Sequence, residues 1–319
     1  MASHQIKTRY THLYWFLIRL CVLLCIDTPP VDVCGFHLHR TLAYRFPEGG
    51  PVYGVQVIGE EVYIIRDSAS YIEVYDRTTL QHKRNMTIDG LGGPYDMVRS
   101  GYGSAAGYLF IPSWFNAVNL TRVQPSLTNP TVDMWSFLEQ SLTTLGLARS
   151  NPYTGENILV TSSASRKIKE FAVDGNLVSE VTVSGISSPR QSVKVASDRY
   201  AVCHGYGPPP ELHRVCLVND KGEKIKCYGG VRGSRVGQLN TPGRLELNNR
   251  NCILVADTGN KRVVLLNQYL QYMGNLISGD LEGPYRLFLD QEQSLLYVAD
   301  NTVDASGYAV SGRVKVFNV

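Results

Sequence analysis

Six times along this chain a short apolar run ends on a polar residue. The runs are Tyr63-Ile64-Ile65-Arg66-Asp67, Leu109-Phe110-Ile111-Pro112-Ser113, Ile158-Leu159-Val160-Thr161-Ser162, Tyr200-Ala201-Val202-Cys203-His204, Ile253-Leu254-Val255-Ala256-Asp257 and Leu296-Tyr297-Val298-Ala299-Asp300. Their closing positions stand 46, 49, 42, 53 and 43 residues apart. A period of that size holds four short strands, too much chain for one hairpin and the right amount for one blade of a radial assembly of sheets. Gly93-Pro94-Tyr95-Asp96, Ser188-Pro189-Arg190, Thr241-Pro242-Gly243-Arg244 and Gly283-Pro284-Tyr285-Arg286 open four of the units, and proline there stops one unit's strand and sets the crossing to the next. The pattern predicts an all-β fold, a six-bladed β-propeller of four-stranded blades.

A ring removes exposed sheet edges only when its first and last blades are joined. The sixth repeat reaches Val319 directly after its third strand, residues 313–317, so its outermost strand must come from elsewhere. Residues 40–46 alternate in polarity ahead of the first repeat and are expected to complete blade six. The propeller is thus expected over residues 37–319, with an apolar segment, 1–36, outside it.

Hydrophobic residues make up 44% of the chain, enough to bury a sizeable core and to exclude disorder as its main state. The formal charge of +3, from 31 basic and 28 acidic side chains, gives no broad electrostatic footprint for nucleic acid, so any basic surface must be local. Of seven cysteines none forms a CxxC pair, which argues against a zinc-stapled module. Five follow residue 33. They are expected to be reduced and buried in a cytosolic chain, with a Cys203–Cys216 bridge as the alternative in an oxidising compartment. Lys7 and Arg9 precede an apolar stretch at 13–26, interrupted by Arg19 and without a convincing cleavage site. If that stretch acts as a signal or anchor, the chain is secreted or membrane-associated through it. Asn85-Met86-Thr87 and Asn119-Leu120-Thr121 match the N-glycosylation triplet.

The fifth repeat carries a resemblance. Gly237-Gln238-Leu239-Asn240-Thr241-Pro242, followed by Ile253-Leu254-Val255-Ala256-Asp257 and Thr258-Gly259-Asn260-Lys261-Arg262-Val263, resembles a full NHL repeat; the sixth repeat is similar and the first four are eroded. NHL propellers form the C-terminal domains of tripartite-motif ubiquitin ligases, where they bind RNA or protein, and they also occur alone. They are similar in structure to six-bladed lyases and lactonases. The resemblance implies a recognition role, including substrate recognition in ubiquitin-ligase pathways, but no ligase activity, since no RING, B-box or coiled-coil segment precedes the repeats.

No HExxH helix, Walker loop or Gly-x-Ser-x-Gly elbow is present. Gly101-Tyr102-Gly103-Ser104-Ala105-Ala106-Gly107 reads as a turn, because no helix follows it to receive a phosphate. His37 and His39 share a strand face but have no third ligand nearby, so no metal or other cofactor is expected. The closing residues Asp67, Ser113, Ser162, His204, Asp257 and Asp300 should ring one end of the channel. A calcium site is the alternative that lyases suggest for them; serine and histidine dilute such a ring, and the favoured role is an Asx-type cap on the turn that follows. Basic residues recur where the third strands begin, with Arg166, Lys167, Lys261 and Arg262 as the phosphate-reading candidates. Tyr95, Trp114, Phe115, Tyr206 and Tyr285, with His204 and Arg286, complete the expected binding face. The favoured function is a non-catalytic protein or peptide recognition platform, with single-stranded RNA binding and a metal-dependent lyase or lactonase as alternatives.

Overall fold

The computed structural model describes residues 34–36, 41–100, 107–113, 119–125, 130–136, 145–149, 157–205, 212–304 and 308–319. The chain divides into two compact units, Met1–His39 and Arg40–Val319. Among the described residues no helix is long and apolar enough to cross a membrane.

The second unit is a ring of six four-stranded antiparallel sheets. After β1 (Thr41–Arg45), blade one holds β2 (Val52–Ile58), β3 (Glu61–Arg66), β4 (Tyr71–Asp76) and β5 (His82–Thr87). Blade two holds β6 (Val98–Arg99), β7 (Leu109–Pro112), β8 (Asn119–Gln124) and β9 (Thr131–Ser136). Blade three is β10 (Leu145–Arg149), β11 (Asn157–Ser162), β12 (Lys167–Ala172) and β13 (Leu177–Thr182). Blade four is β14 (Pro189–Ala196), β15 (Arg199–His204), β16 (His213–Asn219) and β17 (Lys224–Gly230). Blade five is β18 (Pro242–Leu247), β19 (Ile253–Asp257), β20 (Arg262–Leu266) and β21 (Tyr272–Ser278), and blade six is β22 (Pro284–Asp290), β23 (Leu295–Val303), β24 (Ala309–Asn318) and β1. The first strands touch one another in sequence around the ring, from β2 through β6, β10, β14 and β18 to β22 and back to β2. Their starting ends mark what is called here the upper mouth of the channel.

The six apolar runs are the second strands, β3, β7, β11, β15, β19 and β23. They are apolar on both faces because each blade is covered by a neighbour on either side, and β3 and β19 are buried along their whole length. The core therefore lies between blades. Tyr63, Ile65 and Val74 of blade one pack with Met97, Leu109 and Ile111 of blade two, and Val62 and Ile64 pack on the other side with Tyr297 and Val316 of blade six. Each such aliphatic side chain contributes about 1.5–3 kcal/mol by leaving water. The fourth strands lose the pattern: β5 and β13 keep one buried residue each, Met86 and Val181. Gly222 shows how closely blades approach, since a Cβ there would stand 1.8 Å from the Thr182 carbonyl oxygen of blade three.

Closure follows the expected route. β1 runs antiparallel to β24 with Leu42 opposite Phe317 and Tyr44 opposite Val316. Phe46, 1% exposed, then enters the interface between blades six and one, edge-on to Tyr44 and Tyr75. Two polar rivets hold the seam. Asn301 of blade six donates to the Val52 carbonyl and accepts from the Val52 N–H, and the Arg66 guanidinium donates to the carbonyls of Pro47, Gly50 and Gly312. The insertion in the sixth repeat lengthens the β23–β24 hairpin, whose pairing continues to Val303 opposite Ala309.

The cysteines depart from expectation. Cys216 and Cys227 form a disulfide, Cys34 and Cys252 are each disulfide-bonded, and Cys203 is a buried free thiol. The register explains why Cys216 bridges to Cys227 and not to Cys203. Cys216 stands directly opposite Cys227 in the β16–β17 pair, whereas in the β15–β16 pair it faces Val202 and Cys203 faces Val215. One residue of offset puts Cys203 and Cys216 on opposite faces of the sheet.

Deleting residues 1–33 is expected to leave a cooperatively melting propeller, while deleting 1–47 removes β1 and Phe46 and abolishes the cooperative transition, because β24 is left with an unpaired edge. Circular dichroism melts of the two truncations check this; equal melting temperatures would contradict it.

Candidate functional site

Asp96 lies on the axis of the ring with 0% exposure. A carboxylate this deep needs donors on every side. Oδ1 accepts from the Met97 N–H at 2.9 Å and stands 3.2 Å from Nε of Arg286; Oδ2 accepts from the Leu147 N–H at 2.8 Å and from Nε of Arg244 at 3.2 Å. The Met97 carbonyl accepts from Gln56 and from Arg286, both at 3.1 Å. Gln191 donates to the Leu147 carbonyl and accepts from the Leu245 N–H, each at 2.5 Å. These residues come from six different blades, so one polar network ties the whole ring across its centre.

Above this network the mouth is aromatic. The Tyr285 ring covers the Arg244 guanidinium at 4.9 Å and lies 5.3 Å from the ring of Tyr53. Both tyrosines are half-buried. Burial, then the nearby Asp67 and Tyr285, push the Tyr53 phenol up to about 12, so it stays a neutral hydrogen-bond donor. Below the network is a small pocket with room for about one water molecule, lined by Gln56, Arg149, Glu246 and Arg286 among apolar neighbours. Glu246 is pushed up by burial and stands 3.8 Å from Arg149. Arg99, held down at about 10 by burial and then by Arg149, donates to the Val57 carbonyl.

The closing residues of the six runs do cluster at the upper end of the second strands, but the work of Asp257, Asp300 and Ser113 differs from the expected cap. Asp257 accepts from the N–H of Asn240, from Asn260 and from Arg262; Asp300 accepts from the N–H groups of Glu282 and Gly283 and pairs with Lys315 at 2.6 Å. Ser113 donates to the Gly92 carbonyl. The chain these three hold is the segment that leads into the same blade's first strand, whereas Ser162 makes the expected cap, its Oγ accepting from the Ser165 N–H of the turn that follows at 3.3 Å. Among the described residues no group of three or more His, Cys, Asp and Glu side chains could hold a metal ion.

The other expected site residues separate into three groups. Tyr285 stands at the mouth, and Arg166 and Lys261 are exposed at the upper turns. Tyr95 is buried against Val98 and Phe110, Arg286 is on the axis, Arg262 is held by Asp257 and the carbonyls of Ser234 and Gln238, Lys167 pairs with Glu180 at 2.7 Å, and His204 accepts from Arg214 at 2.7 Å. The third-strand cations are thus largely engaged within their own blades. Trp114, Phe115 and Tyr206, like His37 and His39, lie outside the described residues. Sequence reading missed Tyr53, Asp96, Gln191 and Arg244. The available signal was position: Asp96, Gln191, Arg244 and Arg286 each fall two residues after the proline that opens a blade.

No family model matches the chain, and no curated protein matches it. Solved structures with the same fold include virginiamycin B lyase from Staphylococcus aureus, at 9% identity and TM-score 0.56, covering 88% of this chain and 100% of that one. A streptogramin B lyase aligns at 11% identity and TM-score 0.55 over 88% and 97%, and the Cps50 (Swd1) β-propeller domain of Myceliophteria thermophila at 8% and 0.53 over 88% and 100%. At these identities the likeness is one of fold, a six-bladed β-propeller.

His204 supplies a pH test of the framework. Burial, and after it the Arg214 guanidinium, holds its imidazole down at about 3. The unfolded chain takes up a proton below the usual value of about 6.5. Its stabilising contribution is therefore complete above that pH and is lost as pH falls toward about 3, by about 1.4 kcal/mol per unit. His204→Gln, which keeps an acceptor for Arg214, should show a flatter fall in urea midpoint between about pH 6 and pH 4 than the parent; identical slopes would contradict this.

Proposed function

We propose that the protein is a non-catalytic recognition module that holds a protein or peptide segment at the upper mouth of its propeller. The observation that carries this reading is the stacking of the site: an aromatic pair, Tyr53 and Tyr285, above an axis filled by the Asp96 network. Half-buried tyrosines over a fixed base are suited to anchor a few side chains of a partner, the usual source of energy in such interfaces. The NHL-like repeat at 237–263 supports a recognition role of this kind. The disulfides move that role away from intracellular ubiquitin-ligase substrate selection, because they persist in oxidising compartments. The engagement of Lys167 and Arg262 by acidic side chains weakens the phosphate-reading alternative.

Selection of a random phage-displayed peptide library on the purified protein tests the reading. Enriched peptides should bind with little salt dependence, and Tyr285→Ala should weaken them by about 2 kcal/mol, roughly thirtyfold. Failure to enrich any peptide, together with a salt-steep affinity for single-stranded RNA, would replace it with the RNA reading.

A further inference from the structure

The covalent state of the cysteines and the placement of one asparagine point to the same compartment. Four of the five cysteines after residue 33 are in disulfides: Cys216 with Cys227, and Cys34 and Cys252. Bonds of this kind form and persist in secretory and extracellular space and are rare in a reducing cytosol. The sequence also carries the basic-then-apolar order, Lys7 and Arg9 ahead of 13–26, that signals of that route use.

We infer that the chain matures through the secretory route and carries an N-linked glycan on Asn85. The triplet Asn85-Met86-Thr87 lies on β5, the last strand of blade one, which among the described residues is paired on its β4 side alone. Met86 points into the blade at 5% exposure, while Asn85 and Thr87 are both exposed. The Asn85 hydrogen bond to His82, at 2.8 Å, uses Oδ1 and leaves the amide nitrogen, the atom that bears the sugar, uncommitted to that contact. A glycan there projects from a sheet edge without displacing any core side chain, and its bulk blocks edge-to-edge pairing between molecules. The second triplet contrasts with the first: Thr121 is 1% exposed, on β8, which is paired on both sides.

The donor is an oligosaccharide linked through pyrophosphate to a lipid. Its anomeric C–O bond breaks as the Nδ2–C bond of Asn85 forms. The lipid pyrophosphate leaves and the displaced amide proton goes to solvent.

Full-length chain expressed in a eukaryotic cell and mapped by peptide mass spectrometry without reduction tests this. The Asn85 peptide should carry hexose-containing glycan that peptide-N-glycosidase removes, converting the side chain to a carboxylate, and Cys216 and Cys227 should be recovered in one cross-linked peptide. Thr87→Ala should abolish the modification and Thr87→Ser should retain it, although neither changes Asn85 itself. Two results overturn the inference: protein retained in the cytosol with Asn85 bare and Cys216 and Cys227 open to alkylation, or protein that passes through the secretory route with Asn85 unmodified.

Discussion

A carboxylate without water must be surrounded by donors, and the ring is arranged so that Asp96 has them. Two backbone N–H groups and two guanidinium groups converge on its two oxygens, from blades two, three, five and six, and the Met97 carbonyl and Gln191 bring in blades one and four. A buried ion cluster of this sort adds little net stability over well-packed apolar groups, since desolvation offsets most of the Coulomb attraction. What it adds is position. Removing the carboxylate would leave Arg244 and Arg286, 2% and 1% exposed, as uncompensated buried charges.

Cohesion and alignment therefore have different sources. Aliphatic faces between neighbouring blades supply most of the burial, and they are tolerant of small slides because apolar packing has little directionality. The polar hub and the Arg66 and Asn301 rivets are directional and fix how far each blade is rotated about the axis. The mouth inherits that precision, because Tyr285 rests on Arg244 and Arg244 rests on Asp96. A partner bound at Tyr53 and Tyr285 would meet a surface whose shape was set by all six blades.

Much of this was legible in the sequence because radial repetition forces the same solution on each blade. The six apolar runs appear as the six second strands, and the alternation of residues 40–46 foretold the strand that closes the ring. The parts that were not legible depend on register. Whether Cys216 meets Cys203 or Cys227 turns on a one-residue offset that periodicity does not reveal. Arg262 and Lys167 look identical to free surface cations until their acidic partners are placed, Asp257 directly opposite Arg262 and Glu180 diagonally across the β12–β13 pair from Lys167. Asp96 belonged to a recognised blade opening, yet its role rests on meeting Arg244 and Arg286, 148 and 190 positions away along the chain.

The central claim is that one buried hub makes the six blades a single cooperative unit, and native-state hydrogen exchange in the parent and in Asp96→Ala tests it most directly. The account predicts that amides of the first strands in all six blades share one opening free energy in the parent, and that Asp96→Ala lowers it for all of them together by about 3–5 kcal/mol. Loss of protection confined to β6 and β10, with β18 and β22 still opening as in the parent, would contradict it.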